Sequence, residues 1–98
     1  MAQKVSEITA ADIANYIRLD EVSEDDMKTL NDLIAISKAF IENYTGHTEK
    51  ELDDYPDFAI VVYILCQDMW DNRTLYVDNS NLNKVVETIL GLHSVNLL

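Results

Sequence analysis

Phe58-Ala59-Ile60-Val61-Val62-Tyr63-Ile64-Leu65-Cys66 is a run of apolar positions, and the reading of this stretch decides the fold. Its β-branched residues would suit a strand, and it is far shorter than the roughly 20 residues a membrane span needs. The run continues through Gln67-Asp68-Met69-Trp70-Asp71-Asn72-Arg73 without a turn signal, and Pro56 stands where proline favours the first turn of a helix. Pro56 to about Arg73 is therefore predicted to be one helix, apolar on every side until its last turn, as expected of a helix surrounded by others. The rest of the chain must supply the helices that cover it.

The best cover is the segment before it. Ser23 offers an N-cap with Asp26 three residues on, and Glu24, Asp25 and Asp26 set negative charge on the positive end of the helix dipole. From there Met27, Leu30, Ile34, Ile41 and Tyr44 recur at helical intervals, with Leu33, Ile36 and Phe40 on an adjoining stripe. Gly46 suits the left-handed position that ends such a helix. A shorter helix is predicted over Thr9 to Leu19, capped by Thr9 with Asp12, with Ile13, Tyr16 and Ile17 as its apolar stripe. Thr48 and Glu51 form a further capping-box pattern, which predicts one helical turn inside the Gly46 to Tyr55 loop. After Arg73, Asn79 or Ser80 is expected to cap a last helix in which Leu82, Val85, Val86 and Ile89 share a face and Gly91 is the stop.

These readings give an all-α fold, a small bundle of about four to five helices with a central apolar helix. Residues 1–98 form a single domain in which 92–98 are a flexible tail. Leu30, Ile34, Ile41, Phe58, Val62 and Leu65 are the expected core.

Charge narrows the function. Seven Lys and Arg stand against 18 Asp and Glu, a net charge of −11, and the seven cations are scattered singly along the chain. No stretch can neutralise several phosphates together, so poor binding to DNA is expected. Cys66 is the only cysteine and sits in the apolar run, which excludes an intramolecular disulfide and a thiolate ligand cluster. No apolar leader opens the chain, which points to a protein that stays in the cytoplasm or in something assembled there. Neither acidic cluster, residues 20–26 or 49–57, has the spacing of a calcium loop, and no nucleophile-base pair, phosphate loop or zinc motif occurs. No enzyme activity, metal or other cofactor is expected. His47 and His93 each follow a helix-ending glycine and read as solvent-facing residues near helix C-termini.

The order of these elements resembles the head-tail connector (adaptor) family of tailed bacteriophages. The resemblance lies in the short helix Asp12 to Asp20, the long helix ending Ala39-Phe40-Ile41-Glu42-Asn43-Tyr44-Thr45-Gly46, the apolar helix closing on Met69-Trp70-Asp71-Asn72-Arg73, and the paired Val-Val and Ile-Leu of Lys84 to Leu90. Two departures stand out: the tail reads Gly91-Leu92-His93-Ser94 where the family often carries an arginine or a proline-tyrosine-arginine element, and the loop before the last helix is short.

The resemblance implies a structural subunit and not an enzyme: a ring of about a dozen copies under the portal protein, joined on its far side to a neck or tail-completion protein. It is assembled in the bacterial host cytoplasm and resides in the virion, with no membrane partner and with DNA passing through the ring unbound. Contacts with neighbours or portal are expected from Trp70, Arg73 and Tyr76, from His47 and Tyr55, and from Val95, Leu97 and Leu98. An acidic channel wall that does not grip phosphates fits the charge. The alternative is a small acidic DNA mimic that inhibits a host nucleic-acid-binding protein.

Overall fold

A computed structural model describes residues 3–95. Among these residues there are four α-helices, α1 (Ala10–Ile17), α2 (Glu24–Thr45), α3 (Asp57–Asn72) and α4 (Lys84–His93), with 3-10 turns at Val5–Glu7 before α1, Lys50–Asp54 between α2 and α3, and Asn79–Asn81 between α3 and α4. No strand occurs among the described residues, so the protein is a small all-α bundle.

Capping places most of these elements. The Thr9 hydroxyl accepts from the Asp12 N–H at 3.2 Å and the Asp12 carboxylate accepts from the Thr9 N–H at 2.9 Å, and Ser23 and Asp26 form the same reciprocal pair at the start of α2. α2 stops at Gly46, whose φ of 83° is the left-handed conformation that costs glycine nothing. Thr48 and Glu51 make the third reciprocal box and start the turn at Lys50–Asp54. α1 and α3 stop without glycine. Arg18 at φ 66° and Arg73 at φ 56° take the left-handed position instead, and Leu19 and Thr74 close the ends by donating back to the carbonyls of Ala14 and Met69 at 3.0 Å.

α2 and α3 form the most extensive helix pair, and α1 and α4 both pack on that pair. Leu30, Ile34, Ile41, Phe58, Val62 and Leu65 are all buried, as expected. Between Ile34 and Ile41 the buried stripe of α2 passes through Ser37, and one turn beyond Ile41 it reaches Thr45. Both hydroxyls donate to the carbonyl four residues earlier, Leu33 at 2.8 Å and Ile41 at 2.7 Å, so the stripe carries two polar groups with no unsatisfied donor.

Several expectations are corrected. α3 is not covered on every side: Ile60 is 44% exposed, because α1 and α4 flank α3 without closing over the face between them. On α1, Ile13 is fully buried but Tyr16 is largely outside, tilted against Tyr63 with ring centroids 5.1 Å apart. Asn79 and Ser80 do not cap the last helix. They lie in a 3-10 turn whose own cap is Asp78, and Asn83 caps α4 by accepting from the Val85 N–H at 2.8 Å. That later start turns Val86 and Leu90 inward and leaves Val85 51% exposed.

Gly91 does not stop α4, which continues to His93. No positive φ holds Gly91, and a β-carbon built on it would meet nothing within 4 Å. Gly91→Ala should therefore stabilise the fold by about 0.5–1 kcal/mol, the helix-interior penalty of glycine. A lower urea midpoint for this variant would show that residue 91 is not in a regular helix.

The N-terminal segment is also built in. Val5 and Ile8 are buried, the Ser6 N–H and hydroxyl donate to the two oxygens of Asp53 at 2.9 and 2.7 Å, and the Tyr63 hydroxyl donates to Gln3 Oε1 at 2.6 Å.

Candidate interaction surfaces

The contact residues expected from the sequence fall into two groups at opposite ends of α3, whose 16 residues span about 24 Å. Leu97 and Leu98 lie outside the described residues.

At the N-terminal end of α3, the glycine turn after α2 points His47 inward. Only 7% of His47 is exposed, which corrects its expected solvent-facing position. Its Nε2–H donates to the His93 carbonyl at 2.8 Å, since a carbonyl can only accept, and its Nδ1 lies 3.6 Å from Glu51 Oε1. His93 is only partly exposed, and its Nε2 lies 3.2 Å from Asp57 Oδ2. Tyr55 lies between the two imidazoles, with ring centroids 4.8 Å from His47 and 4.6 Å from His93. Phe58 packs beneath, edge-on to His93 at 5.5 Å. The Val95 N–H then donates to the Thr45 carbonyl at 2.8 Å, capping the end of α2 with the chain that leaves α4.

This arrangement is a latch that ties the last helix to the α2–α3 junction. His47 is buried and Tyr55 partly buried in these contacts, and residues 92–95 are tied back to the bundle. The Val95 side chain, by contrast, remains exposed. Sequence reasoning missed Asp57 and His93 as parts of this cluster. The only hint was that both histidines stand one or two residues beyond a glycine, which says nothing of their meeting.

At the other end of α3, Trp70, Arg73 and Tyr76 do share one region. The Arg73 guanidinium lies 5.5 Å from the centroid of the Trp70 ring, and Tyr76 is 62% exposed beside Leu75 at 64%. Leu75 was not singled out from the sequence. Two neighbouring side chains of this size standing out of a loop are the most exposed apolar feature at this end of the molecule.

Carboxylates that accept cap or loop hydrogen bonds are lowered from their ordinary values. The Thr9 N–H and the Gln3 amide hold the Asp12 carboxyl below its usual range, the Thr48 N–H does the same for Glu51, and the Ser6 hydroxyl and N–H do so for Asp53. Asp68 runs the other way. Neighbouring side chains partly desolvate its carboxyl and Asp71 adds like charge, which raises its pKa, although the residue as a whole is exposed.

A carboxylate whose folded pKa is depressed stabilises the fold above its unfolded pKa and loses that contribution as pH falls through the folded value. Ser6→Ala removes the largest single cause of the Asp53 depression. The stability difference between the wild type and Ser6→Ala should thus be full at neutral pH and shrink below about pH 4. Urea melts across pH 3–7 check this, and a difference independent of pH would mean that the Ser6 hydroxyl does not act through the Asp53 charge.

Burial pushes the Cys66 thiol up to about 11, and its sulfur lies 3.6 Å from the Ser37 hydroxyl. A buried thiol that is not ionised at neutral pH is a poor nucleophile and a poor metal ligand. Among the described residues, no group of three or more His, Cys, Asp or Glu side chains is placed to hold a metal ion, and no helix is long and apolar enough to cross a membrane. No family model, no curated protein and no solved structure matches the chain.

Proposed function

We propose that the protein is a structural head-tail connector subunit of a tailed phage, working as a ring under the portal. The observation that carries the reading is the order of helices and stops: a short capped α1, a long α2 ended by glycine, an apolar α3 ended at Trp70-Asp71-Asn72-Arg73, and a short α4. Two further features agree with it. The charge of −11 suits a wall that DNA must pass without being held. Exposed Leu75 and Tyr76, with the Arg73–Trp70 pair beside them, offer the aromatic, apolar and arginine anchors that dominate protein interfaces.

The tail contributes less to this reading than the sequence implied, because His93 and the Val95 N–H are engaged within the chain. The α3 end and its following loop are the proposed contact region.

The test is co-assembly with a portal protein, followed by particle mass and negative-stain imaging. The intact protein should form rings on the portal, and Leu75→Ala combined with Tyr76→Ala, two exposed side chains, should abolish them while leaving the melting midpoint of the free protein within a few degrees. A double variant that still assembles would move the interface elsewhere. An intact protein that never joins a portal would end the connector reading, and capture by a DNA-binding protein in competition with DNA would favour the decoy.

A further inference from the structure

Between the last two turns of α3 and the loop of residues 74–83 lies an open groove of about 370 Å³. Leu65 and Met69, both buried, form its floor, with the partly buried Val77 and Leu82 above them. Its rim is polar and carries the exposed carboxylates Asp68 and Asp78, while no lysine or arginine lines it.

The two carboxylates are not equivalent. Asp78 is engaged, accepting from the Ser80 N–H at 3.0 Å and from the Asn81 amide at 2.9 Å. The Asp68 carboxyl makes no hydrogen bond and no ion pair with any described residue, although it is partly desolvated and has a second carboxylate, Asp71, nearby. A charge in that position is stabilised by a cation from outside the chain. Arg73 does not supply it, since its guanidinium lies against Trp70.

We propose that this groove is the docking site for an arginine-bearing segment of a basic partner protein. An arginine suits both parts of the groove: its aliphatic stem covers apolar floor while its planar head meets a carboxylate. Leu75 and Tyr76, exposed on the same loop, give the residues that flank the arginine an apolar place to lie. Charge complementarity selects the partner. A second copy of this chain brings a net charge of −11 towards the groove, and nucleic acid is repelled by the same rim, whereas a basic protein is drawn to it. The inference does not depend on the connector reading, because the groove and its charges are the same in any assembly.

The experiment uses the full chain and a synthetic capped peptide, Gly-Leu-Arg-Gly-Arg-Leu-Gly, titrated by amide NMR beside a version with citrulline in place of both arginines. Shifts should concentrate on the amides of residues 65–83. Asp68→Asn should weaken binding about tenfold, roughly the 1.4 kcal/mol of a charge-assisted contact. The citrulline peptide should lose as much, and Asp32→Asn, an exposed carboxylate on α2 outside the groove, should lose little. Asp68→Asn removes a strained charge, so its melting midpoint should stay level or rise, which keeps misfolding out of the result.

Shifts scattered over the whole surface, or equal losses from Asp68→Asn and Asp32→Asn, would reduce the attraction to net charge and overturn the site. A citrulline peptide that binds as well would also overturn it. So would self-association of the free chain that Asp68→Asn abolishes, because the groove would then belong to a second copy.

Discussion

Phe58→Ala should lower the unfolding free energy by about 3–5 kcal/mol, the cost of deleting a fully buried aromatic ring. Phe58 is completely inaccessible and is the point where the hydrophobic core meets the latch, with Tyr55 at 5.2 Å and both imidazoles within 6.2 Å. A domain of this size is stable by about 5–15 kcal/mol, so the loss is a large share of the whole. Each kcal/mol moves the thermal midpoint of such a domain by about 4–8 °C, which puts the expected fall at about 12 °C or more. Leu65→Ala, two turns further along the same helix and also buried, should cost about 2–5 kcal/mol by the same cavity argument. Thermal and urea melts of both variants decide the matter, and midpoints that stay in place would mean that α3 is not the centre of the bundle.

His47→Ala should cost about 2–3 kcal/mol, combining a lost hydrogen bond with lost ring contacts in a desolvated cluster. It leaves the His93 carbonyl at the end of α4 without its donor and opens a space beside Tyr55. The local readout is more specific than the melt. The Val95 N–H, bonded to the Thr45 carbonyl at 2.8 Å, should lose its protection from hydrogen exchange before the amides of α2 and α3 do. His47→Gln restores a donor without the ring and should recover part of the stability. If Val95 exchanges equally fast in the wild type and in His47→Ala, the latch does not hold the chain after α4.

The two effects separate the layers of the structure. Phe58→Ala acts on the packing that any helical bundle needs, whereas His47→Ala acts on a contact particular to this chain. His93, at the end of α4, faces inward onto Asp57 and the aromatic rings.

Much of the architecture was legible before any coordinates, and the reason is the range of the forces involved. Thr9 with Asp12, Ser23 with Asp26, and Thr48 with Glu51 are pairs three residues apart, so the start of each element is written in adjacent letters. Gly46 as the end of α2 is equally local, and the apolar periodicity of α2 predicts its buried face without knowledge of what covers it. Where a local signal had a competitor, the reading failed. Asn79, Ser80 and Asn83 are all competent caps, and only the packing of Val86 and Leu90 selects the last. Gly91 carries the same letter as Gly46, yet α4 runs on through it because Leu90 and His93 are anchored on either side.

The chain by itself determined that a bundle of about four to five helices forms, where three of the helices start, and that most of Phe58 to Cys66 is buried. Only the tertiary structure decided what those helices present to one another and to a partner. The Ser6–Asp53 bonds join residues 47 apart, His47 reaches His93 across 46, and Gln3 meets Tyr63 across 60. The groove beside Asp68 exists only because the loop of residues 74–83 lies back along the end of α3. Capping and periodicity depend on neighbours along one helix, but a latch or a groove depends on which faces of separate helices are brought together, and that is settled by packing the whole core at once.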